Sequence, residues 1–141
     1  MATATGAEAW AYAQANPDDT RIQIDRGLCK GSLVEFVKRA WSVVEPAAPY
    51  VHGKAIEVLC EALEAVTRGD IKRLLINIPP GTGKSLITSV LWPAWEWGPR
   101  GMAHLRYLGV AHNLELAMRD TAKMRRLVHS DWYQKLSLIH I

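Results

Sequence analysis

The sequence predicts an α/β fold, with parallel strands flanked by helices and a helical lead-in ahead of them. Three observations carry this. Two short apolar runs, Arg73–Ile78 and Leu105–Ala111, have the length and composition of buried strands. Segments with apolar residues at helical spacing precede, separate and follow them. A glycine-rich turn joins the first run to the helix after it. The order helix–strand–loop–helix–strand–helix contains one full strand–helix–strand unit, whose crossover makes the strands parallel.

Residues 1–31 are weakly patterned and read as a weakly structured leader with one short helix. Asn16-Pro17-Asp18-Asp19 is a turn signal, and Gly27 and Gly31 bracket a loop. Ser32 then caps a helix running to about Val44. Leu33, Phe36, Val37, Ala40, Trp41 and Val44 share one face of it; Glu35, Lys38, Arg39 and Ser42 share the other. Pro46 and Pro49 stop it. A second helix spans about Lys54 to Arg68, with Ile56, Leu59, Leu63 and Val66 as its core stripe. Glu57, Glu61, Glu64 and Arg68 form its wet face, and Gly69 stands just past its end.

Arg73–Ile78 follows, bounded by Gly69-Asp70 and by Pro79-Pro80, whose missing donors end a strand sharply. Lys84–Trp97 is apolar almost all round, as in a helix packed inside a protein, kinked or ended near Pro93. Gly98-Pro99-Arg100-Gly101 is a loop before the second predicted strand, Leu105–Ala111. Asn113 caps a last helix to about His129, with Leu114, Ala117, Met118, Met124 and Val128 facing inward. Trp92, Trp95 and Trp97 read as packing residues rather than stacking platforms for bases.

Composition bounds the rest. With 49% hydrophobic and 22% charged residues in 141, the chain matches a soluble globular domain. A net charge of +3 and a pI of about 9.0 are compatible with a polyanionic partner without establishing one. Arg119, Lys123 and Arg126 share a helix face that could track DNA phosphates, although a solvated outer face explains them more simply. Cys29 and Cys60 match no metal or redox spacing, and Cys60 lies in the apolar stripe of its helix. Met1–Asn16 lacks the basic start and apolar core of a signal peptide. No run reaches the about 18 apolar residues of a membrane span, so a cytoplasmic location follows by default.

The chemistry concentrates at Ile78-Pro79-Pro80-Gly81-Thr82-Gly83-Lys84-Ser85. The phosphate-loop pattern is Gly, four residues, then Gly-Lys and Ser or Thr. Gly83, Lys84 and Ser85 match its end; Ile78 stands at the first glycine position. Gly81 and Gly83 lack a Cβ, so backbone N–H groups can approach phosphate oxygens closely. The helix that begins at Lys84 turns its positive end toward the same place. Lys84 can reach the β- and γ-phosphates, and Ser85 offers a hydroxyl to Mg²⁺. The ligand implied is ATP with Mg²⁺, bound by Pro80, Gly81, Thr82, Gly83, Lys84, Ser85 and Leu86, in a partial P-loop NTPase fold. A strand feeding the turn and a helix leaving it are what make the tripeptide specific.

Residues 33 to 136 resemble the ATPase domain of phage large terminase subunits. Phe36 and Trp41 precede a Pro-rich bend and His52; Leu63-Glu64-Ala65-Val66-Thr67-Arg68-Gly69-Asp70-Ile71-Lys72-Arg73-Leu74 leads into Asn77-Ile78-Pro79-Pro80 and Gly83-Lys84-Ser85. Pro93-Ala94-Trp95, Leu114-Glu115-Leu116-Ala117 and Trp132-Tyr133 follow in order. The resemblance implies ATP-driven translocation of double-stranded DNA into a procapsid in the bacterial host cytoplasm. It implies a homo-oligomeric ring, with a portal protein, a small terminase subunit and DNA as partners. Lys84 and Ser85 carry over as the phosphate and Mg²⁺ residues, and His52 falls where related motors contact the base; a helix cap or surface residue is the plainer reading of that histidine. Many members carry an arginine at the place of Gly81, so an arginine acting in trans would come from elsewhere.

Hydrolysis also needs a carboxylate to hold Mg²⁺ and a base for the attacking water, normally at the end of a later buried strand. No apolar run here closes in Asp-Glu: Asp70 precedes the first run, Asp120 lies on a helix and Asp131 lies in a loop. The carboxylates of a terminase nuclease domain are missing as well. The chain therefore reads as an inactive N-terminal part of a longer ATPase, residues 32–135, with a non-native tail at 136–141. Two other classes stay open: a different P-loop nucleic-acid motor, helicase-like or ring-forming, and a non-catalytic nucleotide-binding module.

Overall fold

The computed structural model describes residues 6–137, and these build an all-helical fold without a strand. α1 (Gly6–Ala15) lies against α2 (Pro17–Gly31). α2 starts at the residues read as a turn: Pro17 takes the first helical position, where its missing N–H costs nothing, and Asp18 and Asp19 complement the positive end. It belongs to the core, since Cys29 is fully buried.

α3 (Leu33–Val44) is the hub, packed by α2 and α4 (Lys54–Arg68), by the region after the glycine turn, and by α7 (Leu114–Val128). Its stripe predicts this: Leu33, Phe36, Val37, Ala40 and Val44 are buried. The larger of these side chains, all but Ala40, each contribute about 1.5–3 kcal/mol of transfer free energy. Ser32 Oγ accepts from the Glu35 amide at 3.4 Å, and Glu64 of α4 reaches across to accept from the Leu33 amide at 2.6 Å. The carboxylate expected on the wet face of α4 thus satisfies an orphan donor of α3. α4 ends at Gly69, φ 87°, with Gly69 N–H on Val66 O and Asp70 N–H on Ala65 O, both at 2.9 Å. These two bonds form the left-handed stop that glycine makes without strain.

The polar face of α3 is half-covered, with Glu35, Lys38 and Arg39 partly buried and Ser42 exposed. Arg39 bonds Asp25 of α2 at 2.7 Å and Glu35 at 2.5 Å, and Trp132 Nε1 donates to the second Asp25 oxygen at 3.2 Å. α8 (Asp131–Ser137) closes over this network and carries Tyr133, whose hydroxyl donates to Ala94 O at 2.7 Å. Asp131 therefore opens a helix instead of sitting in a loop. Leu136, in the last turn of α8, is buried; residues 138–141 of the expected tail lie outside the described residues.

The helix expected at Lys84–Trp97 forms in three continuous pieces: α5 (Lys84–Leu86), a π turn (Ile87–Leu91) and α6 (Trp92–Trp97). It passes through Pro93 rather than ending there. Pro93 has no N–H for the Ser89 carbonyl, and its ring would crowd that carbonyl in a regular α-turn. The widened turn, closed by Trp92 N–H on Ile87 O, absorbs the mismatch. Ile87, Val90, Leu91, Ala94 and Trp95 are buried.

The α/β expectation fails at both strands. Residues 74–78 form no ladder, although their burial alternates: Leu74, Ile76 and Ile78 pack on the core, while Leu75 is 93% exposed. Leu105–Ala111 is more exposed still, with Leu108 at 92% and Val110 at 87%. A strand exists only by pairing, and neither run finds a partner edge here. The inward face of α7 is shorter than expected for the same reason. Leu127 is buried and Met124 and Val128 pack on the core, whereas Leu114 and Met118 stand in solvent with no sheet opposite them.

Candidate functional site

The glycine turn is built by two left-handed residues, Gly81 (φ 85°) and Gly83 (φ 74°). An L side chain would be strained at both positions. The turn closes on its own lead-in: Thr82 Oγ1 donates to Pro79 O at 3.0 Å, and Lys84 Nζ donates to Ile78 O at 3.1 Å. The helical run then starts at Lys84, with Ile87 N–H on Gly83 O at 2.9 Å as its first closure. The amides of Lys84, Ser85 and Leu86 lie ahead of any intrahelical acceptor, as the first donors of a helix do. Ser85 is exposed, and its hydroxyl makes no hydrogen bond with the described residues.

Of the predicted site residues, the structure brings Gly81, Thr82, Gly83, Lys84, Ser85 and Leu86 into one turn. Pro80 enters it without a donor, and Leu86 points its side chain into the core. The strand that was to feed the turn is absent, so the segment before Pro79 positions it through Ile78 O and through packing on α4. Leu74–Ile78 and the α4 residues Lys54, Ala55, Val58, Leu59 and Ala62 border a groove of about 420 Å³.

His52 joins the site indirectly. Its Nδ1 pairs with Tyr50 OH at 2.9 Å and its Nε2 with Glu57 at 2.7 Å, which ties it to the first turn of α4. Lys54 Nζ also bonds Glu57, at 3.0 Å; with His52 it holds that carboxyl below its ordinary range. Tyr50 stacks edge-to-face on Trp41 at 5.5 Å. Trp41 in turn reaches the turn itself: a Cβ built on Gly83 would lie 3.0 Å from its Cη2. Local sequence pattern showed the apolar stripe that contains Trp41 but not this contact, which joins distant parts of the chain.

Arg126 is exposed on α7, and the other remaining candidates are engaged elsewhere. Arg119 pairs with Asp120, Lys123 with Glu45, and Asp70 with Arg68. The indole N–H groups of Trp92, Trp95 and Trp97 donate to Thr67, Cys29 O and Leu105 O, so these rings serve packing. Burial pushes the Cys29 and Cys60 thiols up to about 12, as inert core residues. Among the described residues no cluster of three or more His, Cys, Asp or Glu could hold a metal ion. Mg²⁺ would find one protein ligand at the turn, the Ser85 hydroxyl, and its other ligands would be phosphate oxygens and water. The turn groups backbone N–H donors, one ammonium and one hydroxyl, and no carboxylate or imidazole lies within residues 79–86.

No protein-family model, no curated protein and no solved structure matches the chain. Among the described residues no helix is long and apolar enough to cross a membrane.

Proposed function

We infer that Gly81–Leu86 binds the phosphates of ATP with Mg²⁺, as the nucleotide site of a viral DNA-packaging motor of the large-terminase kind. The observation that carries the phosphate reading is the turn itself. Two left-handed glycines deliver the free amides of a helical start, an ammonium and an exposed hydroxyl to one place. The strand expected to make the tripeptide specific is absent, so the reading has lost that support and rests on the turn and the helix that leaves it. Lys84 would neutralise the β- and γ-phosphates, and Ser85 would ligand Mg²⁺. His52, linked to the turn only through Tyr50 and Trp41, would contact the base.

The motor reading rests on the ordered motifs from Phe36 to Tyr133. Under it, a ring of full-length subunits at the portal, with the small terminase subunit and double-stranded DNA, couples hydrolysis to translocation into the procapsid. The carboxylate, base and nuclease residues would be supplied outside this sequence.

Calorimetric titration with MgATP tests the site: saturable binding near one equivalent is expected, and no heat of binding at millimolar nucleotide removes it. The encoding gene beyond residue 135 tests the motor. An apolar run ending in Asp-Glu followed by an acidic nuclease cluster supports packaging. Helicase motifs there would replace it with another nucleic-acid motor, and a stop codon with a non-catalytic nucleotide-binding module.

A further inference from the structure

We propose that Trp41 is a positioning residue for the phosphate turn, holding Gly83 in the left-handed conformation from which the following amides point outward. This rests on the phosphate reading of the turn. Two contacts and an anchor on α3 fix the indole. Its Nε1–H donates to Ala48 O at 3.0 Å, across the Pro46–Pro49 bend. Tyr50 packs edge-to-face on its ring at 5.5 Å, with an interplanar angle of 66°. Its root lies on α3, the most embedded helix of the fold. With the indole N–H bonded and Tyr50 packed against the ring, the six-membered edge meets Gly83: a Cβ there would lie 3.0 Å from Cη2 and 3.4 Å from Cζ3.

The contact explains why Gly83 is doubly constrained. Its φ of 74° disfavours any side chain, and the indole edge would have to shift by a few tenths of an ångström to admit one. Gly81 differs, since it has the same backbone sign but nothing within 4 Å of a built Cβ. Only the glycine that immediately precedes Lys84 is braced. A brace of this kind reduces the number of turn conformers that phosphate must select among, which raises affinity without touching the ligand. The same indole joins the turn, through Tyr50, to His52 and the start of α4.

The test is Trp41→Phe in the full chain, which keeps an aromatic ring on the α3 stripe but removes the indole N–H and the edge that reaches Gly83. Backbone amide and indole resonances are followed by NMR while MgADP is added. Three results are expected. The Gly83 and Lys84 amides of unliganded W41F are displaced from their wild-type positions, while resonances of α7 are not. MgADP binds the variant about tenfold more weakly, with a melting temperature lower by a few degrees for the lost bond to Ala48 O. The wild-type Trp41 indole resonance moves with the Gly83 amide during the titration. Equal MgADP affinity in the two proteins overturns the positioning role and leaves the phosphate reading intact. MgADP that perturbs no resonance of the wild type overturns the phosphate reading and this role with it. If W41F does not fold, the wild-type titration decides: a stationary Trp41 indole beside a moving Gly83 amide overturns the proposal.

Discussion

The Lys84 ammonium rests on the Ile78 carbonyl, 3.1 Å away, so the cation of the turn is held by the segment that leads into it. A carbonyl is a weaker partner for an ammonium than a phosphate oxygen, which carries charge. Ligand binding would exchange one for the other with little rearrangement. Lys84→Ala should therefore weaken MgATP binding by at least tenfold, while costing the fold only about 1 kcal/mol for the lost bond to Ile78 O. Calorimetric titration and thermal denaturation of the same preparation check both halves. Unchanged affinity would remove Lys84 from the site.

Ser85 makes a sharper distinction. Its exposed hydroxyl holds no structural bond among the described residues, so Ser85→Ala should leave the melting temperature unchanged. Its effect should fall on metal-dependent binding: several-fold weaker for MgATP and near zero for ATP in excess chelator. Equal losses with and without Mg²⁺ would argue against a metal ligand.

The helices were legible where a stop or cap is written locally. Ser32, Gly69 and Asn113 each mark a terminus within one residue, because capping is chemistry between near neighbours. The strands were misread because an apolar branched run states only that one face wants burial. Leu74, Ile76 and Ile78 obtain that burial against helices, and Leu75 does without it. The turn residues were readable from glycine and lysine spacing alone. The brace on Gly83 and the Glu64 cap on Leu33 were not, since each joins elements distant in sequence through side chains whose direction only packing decides.

The two thiols give a test of the core. Cys29 and Cys60 are buried in α2 and α4, and burial raises both from the ordinary 9.0 to about 12. At pH 8 a thiol-specific reagent should modify the native protein roughly a hundredfold more slowly than the denatured chain, where thiolate is accessible. The folded state binds more protons than the unfolded one between pH 9 and 12. Stability conferred by these protonated thiols is thus complete below about pH 9 and declines as pH rises above it. Fast modification at pH 8 without unfolding would show that α2 or α4 opens readily.

Glu96 has the opposite consequence near neutrality. It is 3% exposed on α6, and desolvation raises its carboxyl above the ordinary 4.5 despite hydrogen bonds with Thr67 and Trp92 and the nearby charge of Arg100. A raised acid in the folded state means that folding takes up a proton in the window between the unfolded and folded values. Its favourable contribution is full below about pH 4.5 and is lost as pH rises through the folded value. At pH 7 the buried carboxylate is a net liability that Gln would relieve, because an amide has nearly the same shape and no charge to desolvate. Glu96→Gln should therefore raise the melting temperature at pH 7 and leave it unchanged near pH 4, where both side chains are neutral. Denaturation curves at the two pH values decide. A variant less stable at pH 7 would mean that the hydrogen bonds and Arg100 outweigh desolvation, and that Glu96 anchors α6 to α4 as an anion.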